Sequence, residues 1–286
     1  MDAELSPMRI AGLGLYTAPA DEHSASLRAL LRERLANPPR RINRLIELAL
    51  IGAADCIGEQ RLAPETPVML ALSSGCVADS WQLLGDALNE VPAMPVRFIN
   101  VSSNMTGFYV AQSFGLEGSC QVVSRETGAW AAALELAAVD PGCRRGALVA
   151  ALEEAAWPMD QHRERLGLDR QVPVLETSAW LRLARDGEAA IGELSLGPPR
   201  EAPESMAERV AAWAATGGDT WLDLHGDGDA PTLPELPRWS PRHAGYSGHA
   251  DALNALAFLQ QGNGQLIQLQ VDADGRGSAR RFLRLP

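Results

Sequence analysis

Apolar positions along this chain switch repeatedly between two periods. Leu27, Leu30, Leu31 and Leu35 recur at helical spacing, and Asn37-Pro38-Pro39 stops that helix. Ile42, Leu45, Ile46, Ala49 and Leu50 line one face of a second helix, and Trp81, Leu84 and Leu88 mark a third. Between them lie short runs with no helical period. Met8–Tyr16, Val68–Ser73, Gln121–Ser124 and Ala147–Leu152 read as strands, and the continuous runs read as strands buried on both faces. Arg97–Val101 is read as extended. Helices are expected over Met105–Phe114, opened by Asn104, and over Gly128–Val139, closed by Asp140-Pro141-Gly142. This alternation predicts an α/β domain on a mixed or parallel sheet.

Beyond residue 155 the pattern changes. Ala179–Ala184 and Ala190–Leu196 flank Asp186-Gly187, which predicts a β-hairpin. A helix follows around Met206, Val210 and Trp213. Trp221–Leu224 is a short strand that ends on His225. Asp229–Arg242 is proline-rich and irregular, and Ala250–Gln260 is helical. Leu266–Val271 and Arg280–Leu285 form a closing hairpin around Asp272–Gly275.

Composition narrows the chemistry. The 286 residues are 46% hydrophobic, enough for a sizeable core. The net charge of −11 argues against nucleic acid as a partner. Every basic residue is arginine, so Schiff-base chemistry on a lysine is excluded. Cys56, Cys76, Cys120 and Cys143 form no zinc-type spacing, and no metal or cofactor is expected. Scattered thiols, no signal-type N-terminus and no membrane-length apolar run predict a cytoplasmic protein with no membrane span.

Three segments carry candidate chemistry. Val122–Trp130 runs from a strand through a tight turn into a helix, which sets the turn residues at a helix N-terminus. Ser124 and Thr127 are the hydroxyls there, and ordinary helix capping explains them equally well. Trp221–Asp229 delivers His225 at a strand end before two glycines. Asp223, His225, Asp227 and Asp229 also have metal-ligand chemistry, although a solvated acidic turn accounts for them better. Gly245–His249 places a second histidine at the start of a helix.

In this order the segments resemble the β-ketoacyl synthase family of the thiolase fold. Phe98-Ile99-Asn100 with Asn104–Tyr109 resembles the stretch before the family's nucleophile strand, and Phe114–Ser119 its glycine turn. Ala147–Glu154 and Val174–Leu181 resemble the strands that close the first half and open the second. Leu224–Asp229 and Gly248–Ala252 resemble the two histidine motifs. The likeness runs from Met8 to Leu259. It implies two related halves with layered α-β-α-β-α architecture, residues 1–155 and a truncated half 156–286.

The departures define the expected function. Thr127 stands where the family carries its nucleophilic cysteine, and no cysteine lies between Cys120 and Cys143. The lysine ahead of the second histidine is replaced by Ala244, and the C-terminal gating motif is missing. The resemblance therefore implies Thr127, His225 and His249 as the degenerate catalytic set. It implies Ser124, Glu126, Gly128 and Phe108 as pocket residues. It points to a non-condensing partner of an active ketosynthase, of chain-length-factor type, in fatty-acid, polyketide or aryl polyene biosynthesis. The implied partners are that ketosynthase or a second copy of the chain, and an acyl carrier protein. The family pairs through the strand before the nucleophile turn, here within Arg97–Val123. The alternative is an acyl hydrolase, acyltransferase or malonyl decarboxylase that uses Thr127 or Ser124 with His225 and His249.

Overall fold

The computed structural model describes residues 6–20, 26–92, 94–155, 158–184, 187–216, 218–239 and 245–286. Nine strands are found among them: β1 (Met8–Pro19), β2 (Val68–Leu72), β3 (Cys120–Ser124), β4 (Ala147–Glu153), β5 (Leu175–Leu183), β6 (Gly192–Leu196), β7 (Thr220–Gly226), β8 (Gln265–Val271) and β9 (Gly277–Arg284). The helices are α1 (Arg28–Arg34), α2 (Arg44–Ile57), α3 (Val77–Leu88), α4 (Pro95–Asn100), α5 (Ser103–Phe114), α6 (Ala129–Val139), α7 (Met159–Arg165), α8 (Pro203–Thr216) and α9 (Ala250–Gln261).

The strands form one sheet in the order β3-β2-β4-β5-β1-β6-β9-β8-β7. β2 runs parallel to β3 and β4, whereas β5 is antiparallel to both of its neighbours, β4 and β1. Across the β1–β6 seam the pattern repeats. β7 and β8 are parallel, and β9 is antiparallel to β8 and β6. With the second half's strands numbered by their equivalents in the first, the first half reads 3-2-4-5-1 and the second reads 1-5-4-2. In this grouping β5 belongs with the first half, whereas the sequence places the opening of the second half at residue 156. The second half is short by one strand. Residues 73–146 hold α3, α4, α5, β3 and α6, but the equivalent span 227–264 holds only α9 among its described residues.

Strand periodicity builds the layers. On one face Met69, Ala71, Val149 and Ala151 of the first half meet Leu194, Leu266 and Phe282 of the second, with α6 and α9 between them. Trp130, Leu134, Leu253, Leu256 and Phe258 of those helices are wholly or almost wholly buried there. On the opposite face α2 covers Leu70, Leu72, Leu148 and Trp180. Met206, Val210 and Trp213 of α8 cover Ile267, Leu269 and Ala279. Burying each such side chain contributes about 1.5–3 kcal/mol before chain entropy is set against it. The outcome is the expected α-β-α-β-α stack.

Two local expectations are corrected. Arg97–Val101 is not extended, because Pro95 opens the short helix α4 with its φ already helical. The expected hairpin through Asp186-Gly187 is not a paired hairpin. β1 lies between β5 and β6, with Ile10 opposite both Leu183 and Gly192. All nine β5 residues are buried, so the strand is flanked on both edges, by β1 and β4. Residues 185 and 186 lie outside the described residues.

The far edge of the sheet is covered. The Leu222 N–H of β7 donates to the Pro237 carbonyl at 2.9 Å, and the Trp239 N–H donates back to Leu222 at 2.9 Å. Trp239 packs edge-on against Trp221 and Phe258, at 5.7 and 5.3 Å between ring centroids.

Candidate active-site cavities

β3 extends its pairing by one residue, with the Arg125 N–H on the Leu72 carbonyl, and then turns. Gly128 caps α6 at φ 68°, a left-handed conformation that glycine adopts without strain. Ser124, Glu126 and Thr127 are exposed at this turn. Glu126 pairs with Arg165 of α7 at 2.6 Å.

β7 sends Asp223 and His225 to the same face, two residues apart. Their side chains meet at 2.7 Å through His225 Nε2. Asp223 also accepts from Asn254 Nδ2 of α9, at 3.1 Å to each oxygen, and from Gln268 Nε2 of β8 at 2.8 Å. Burial disfavours the His225 imidazolium. The hydrogen bond to Asp223 and the charges of Asp251 and Asp223 outweigh burial and hold its pKa above the ordinary imidazole value. Gly226, at φ 98°, permits the close β7–β8 approach, since a Cβ there would lie 2.0 Å from the Val271 carbonyl oxygen.

The Tyr246–His249 loop is strapped to the first half. The Leu175 N–H donates to the Tyr246 carbonyl at 2.8 Å. Glu153, at the end of β4, is the anchor. It accepts from Ser73 Oγ at 2.9 Å, Ser247 Oγ at 3.1 Å and the Gly248 N–H at 2.6 Å.

Two cavities meet here. One of about 140 Å³ is lined by Thr127, Gly128, His225, Ser247, Asp251 and Gln270, among others. The other, of about 360 Å³, is lined by Ser73, Ser74, Val77, Glu153, His162, Arg165 and Leu166. Glu126 and Tyr246 belong to both. Burial, followed by the Arg165 charge, keeps the His162 pKa below its usual value. Burial, followed by Glu153, pushes the Tyr246 phenol up.

The structure thus brings Glu126, Thr127, Gly128 and His225 to one cavity. His249 does not line either of these two cavities. It is 1% exposed, and its Nε2 has no partner among the described residues. Ser124, the last residue of β3, lines neither cavity, and Phe108 is 50% exposed on α5. The metal reading of Asp223, His225, Asp227 and Asp229 finds no support, since no three-residue ligand cluster occurs among the described residues. No cysteine lines either cavity. Burial pushes Cys56, Cys76 and Cys143 up to about 12 and raises Cys120 as well. A thiol at about 12 leaves roughly one molecule in 10⁵ as thiolate at neutral pH.

Sequence reasoning missed Asp223 as a partner of His225, and it missed Glu153, His162, Arg165 and Tyr246. The two-residue spacing on a strand could have revealed Asp223. Nothing local marks the other four, which come together only through the crossing of β4, α7 and the Tyr246 loop.

An open turn at the start of α6, a histidine at the end of β7 and a sheet whose halves repeat are features of one architecture. The chain has the thiolase-type ketosynthase fold, with its second half shortened. Solved structures with this fold include an ishigamide ketosynthase/chain length factor, at TM-score 0.65 and 16% identity over 98% of this chain and 99% of that one. They also include a ketosynthase in complex with its chain length factor from Xenorhabdus doucetiae, at TM-score 0.54 and 12% identity over 97% and 99%. A type II polyketide acyl-carrier protein in complex with its ketosynthase matches at TM-score 0.58 and 14% identity over 98% and 99%. No family model matches the sequence, and no curated protein does. No described helix is long and apolar enough to cross a membrane.

Proposed function

We propose that this chain is a non-condensing, chain-length-factor-type partner of an active ketosynthase, working on acyl groups carried by an acyl carrier protein. One observation carries the reading. Thr127 lies exposed at the turn before α6 and lines the smaller cavity, and the two cavities at that turn have no thiol in their lining. A hydroxyl is a weak acyl acceptor unless a base removes its proton. Burial of Cys56, Cys76 and Cys143 against ionisation supports the same reading.

An unusual apolar face supports a partner. α3 has no buried residue, and its Trp81, Leu84 and Leu88 are 50%, 53% and 76% exposed. Phe98 of α4 is 69% exposed and Phe108 of α5 is 50% exposed. Clustered exposed apolar side chains of this size mark protein interfaces. β3, at the sheet edge beside α5, offers unpaired backbone groups to the same partner.

His225, which lines the same cavity as Thr127 and is paired with buried Asp223, favours one alternative, a hydrolase or transferase with a hydroxyl nucleophile. One experiment separates the readings. The chain is incubated with acyl- and malonyl-loaded carrier proteins, alone and co-expressed with a cysteine-bearing ketosynthase. Intact mass and size exclusion then follow the products. A stable heterodimer with no acyl adduct on Thr127 is the expected result. Chain elongation or acyl loading by the chain alone overturns it.

A further inference from the structure

The sheet face of the second half that packs with α6 and α9 is not uniformly apolar. Partner residues on neighbouring strands point to the same face, so each set of partners across β7, β8 and β9 forms a row. Trp221, Leu266 and Phe282 form an apolar row. Two residues further along β7 the row is Asp223, Gln268 and Arg280, and the next is His225, Gln270 and Ser278. α9 lays Asp251 and Asn254 against these polar rows. Asn254 donates to Asp223 at 3.1 Å, and Gln268 Nε2 donates to the Asp251 carbonyl at 2.7 Å.

Arg280 is unusual in such a layer. It is 1% exposed, and none of its three guanidinium nitrogens makes a hydrogen bond among the described residues. Asp251 Oδ2 lies 3.8 Å from its Nη2, an ion pair without a hydrogen bond. Glu135 of α6 and Asp223 of β7 are the other charges that face it. A guanidinium in an interior is costly unless carboxylates offset it, and the same carboxylates are costly without the guanidinium. Asp251 and Asp223 also face His225, and Glu126 lines the cavity with it. Glu135 is faced in addition by Arg125 and Asp272. Arg280 and His225 thus share the charges of Asp223 and Asp251.

We propose that Arg280 is a positioning residue for His225: acting through Asp251 and Asp223, it sets whether the second ring nitrogen, Nδ1, donates or accepts a hydrogen bond in the cavity. Nε2 is committed to Asp223, so the chemistry of the ring towards a ligand rests on Nδ1. A protonated ring donates to a carbonyl or an anion, whereas a neutral ring accepts from a hydroxyl. The carboxylates favour the first state and the Arg280 charge opposes it, so the arginine keeps the second within reach. Arg280 has this role whether or not the chain pairs with a ketosynthase.

The test follows the His225 ring of the full chain by NMR across pH, with its signal assigned by its loss in His225→Gln. Arg280→Gln should move the His225 midpoint upward, because the opposing positive charge is gone. Arg280→Lys keeps the charge and should leave the midpoint near the wild-type position. Phe282→Leu, on the same strand but in the apolar row, disturbs packing without changing charge and should leave it unmoved. A midpoint in Arg280→Gln equal to that of the wild type overturns the inference. So does a Phe282→Leu shift as large as that of Arg280→Gln, which would reduce the arginine to packing. A Lys variant that titrates like the Gln variant overturns it as well. The charge-balanced pair Arg280→Gln/Asp251→Asn guards against a single variant that does not fold. It should titrate above Asp251→Asn alone, and equal midpoints in these two would overturn the inference.

Discussion

Replacing Asp223 by Asn tests the polar heart of the site. The carboxylate is buried and receives three side chains: His225 at 2.7 Å, Gln268 at 2.8 Å and Asn254 at 3.1 Å. Asparagine keeps one oxygen but turns an NH2 group toward these donors and removes the charge facing His225. A hydrogen bond to a charged group contributes about 1.5–3 kcal/mol, so a loss of about 3 kcal/mol is expected at pH 6. The loss depends on pH. The His225 value is raised in the folded state, so its protonation stabilises the fold fully below its ordinary value of 6.5. That contribution disappears as pH rises through the folded value. The variant should therefore cost less, about 1–2 kcal/mol, at a pH above the raised folded value, once the imidazole is neutral. Urea unfolding at both pH values, with the His225 ring titrated by NMR, measures both quantities. Titration of His225 at its ordinary value in wild type and variant alike would refute the argument. So would an equal cost at the two pH values.

Further predictions address other parts of the molecule. Gly226→Ala should cost about 2 kcal/mol or more in chemical denaturation, because φ is 98° and the new methyl meets the Val271 carbonyl. Glu154, which accepts from the Ala78 N–H at 3.0 Å, is pushed up to about 8 by burial. Its raised value means that stability is lost as pH rises from its ordinary 4.5 through about 8. Glu154→Gln should therefore raise Tm at pH 8, by about 2–4 °C per kcal/mol recovered, with little gain at pH 5. Leu88→Glu with Phe98→Glu should change unfolding free energy by less than about 1 kcal/mol, yet abolish co-purification with the ketosynthase. Thiol titration of the native protein at pH 7 should show Cys120 reacting first, with Cys56, Cys76 and Cys143 reacting only on unfolding.

The sequence was most legible where one period dominated. The buried run Ala147–Leu152 became β4, and the leucine spacing before Asn37-Pro38 became α1. It was least legible where pairing partners are distant. Residues 179–196 carry a good turn signal, yet β1 from the other end of the half takes both strands. Local patterning cannot register a neighbour more than 150 residues away. The same limit applies to the site. Thr127, Gly128 and His225 stand out because turns and strand ends announce themselves. Glu153 gains its meaning only when β4 meets the Gly248 loop. Phe108 has the composition of a pocket residue, but it faces outward on α5, whose buried side, with Val110, packs against the core.

The two ends of the sheet behave differently. At one margin β3 leaves main-chain donors and acceptors that a neighbouring strand can extend. At the other, where the missing strand of the second half would have lain, the segment containing Pro231, Pro234 and Pro237 crosses β7 and takes up its bonding groups around Leu222. Proline has no N–H to offer a further strand. Strand addition is therefore open at the β3 margin and obstructed around Leu222 at the opposite one.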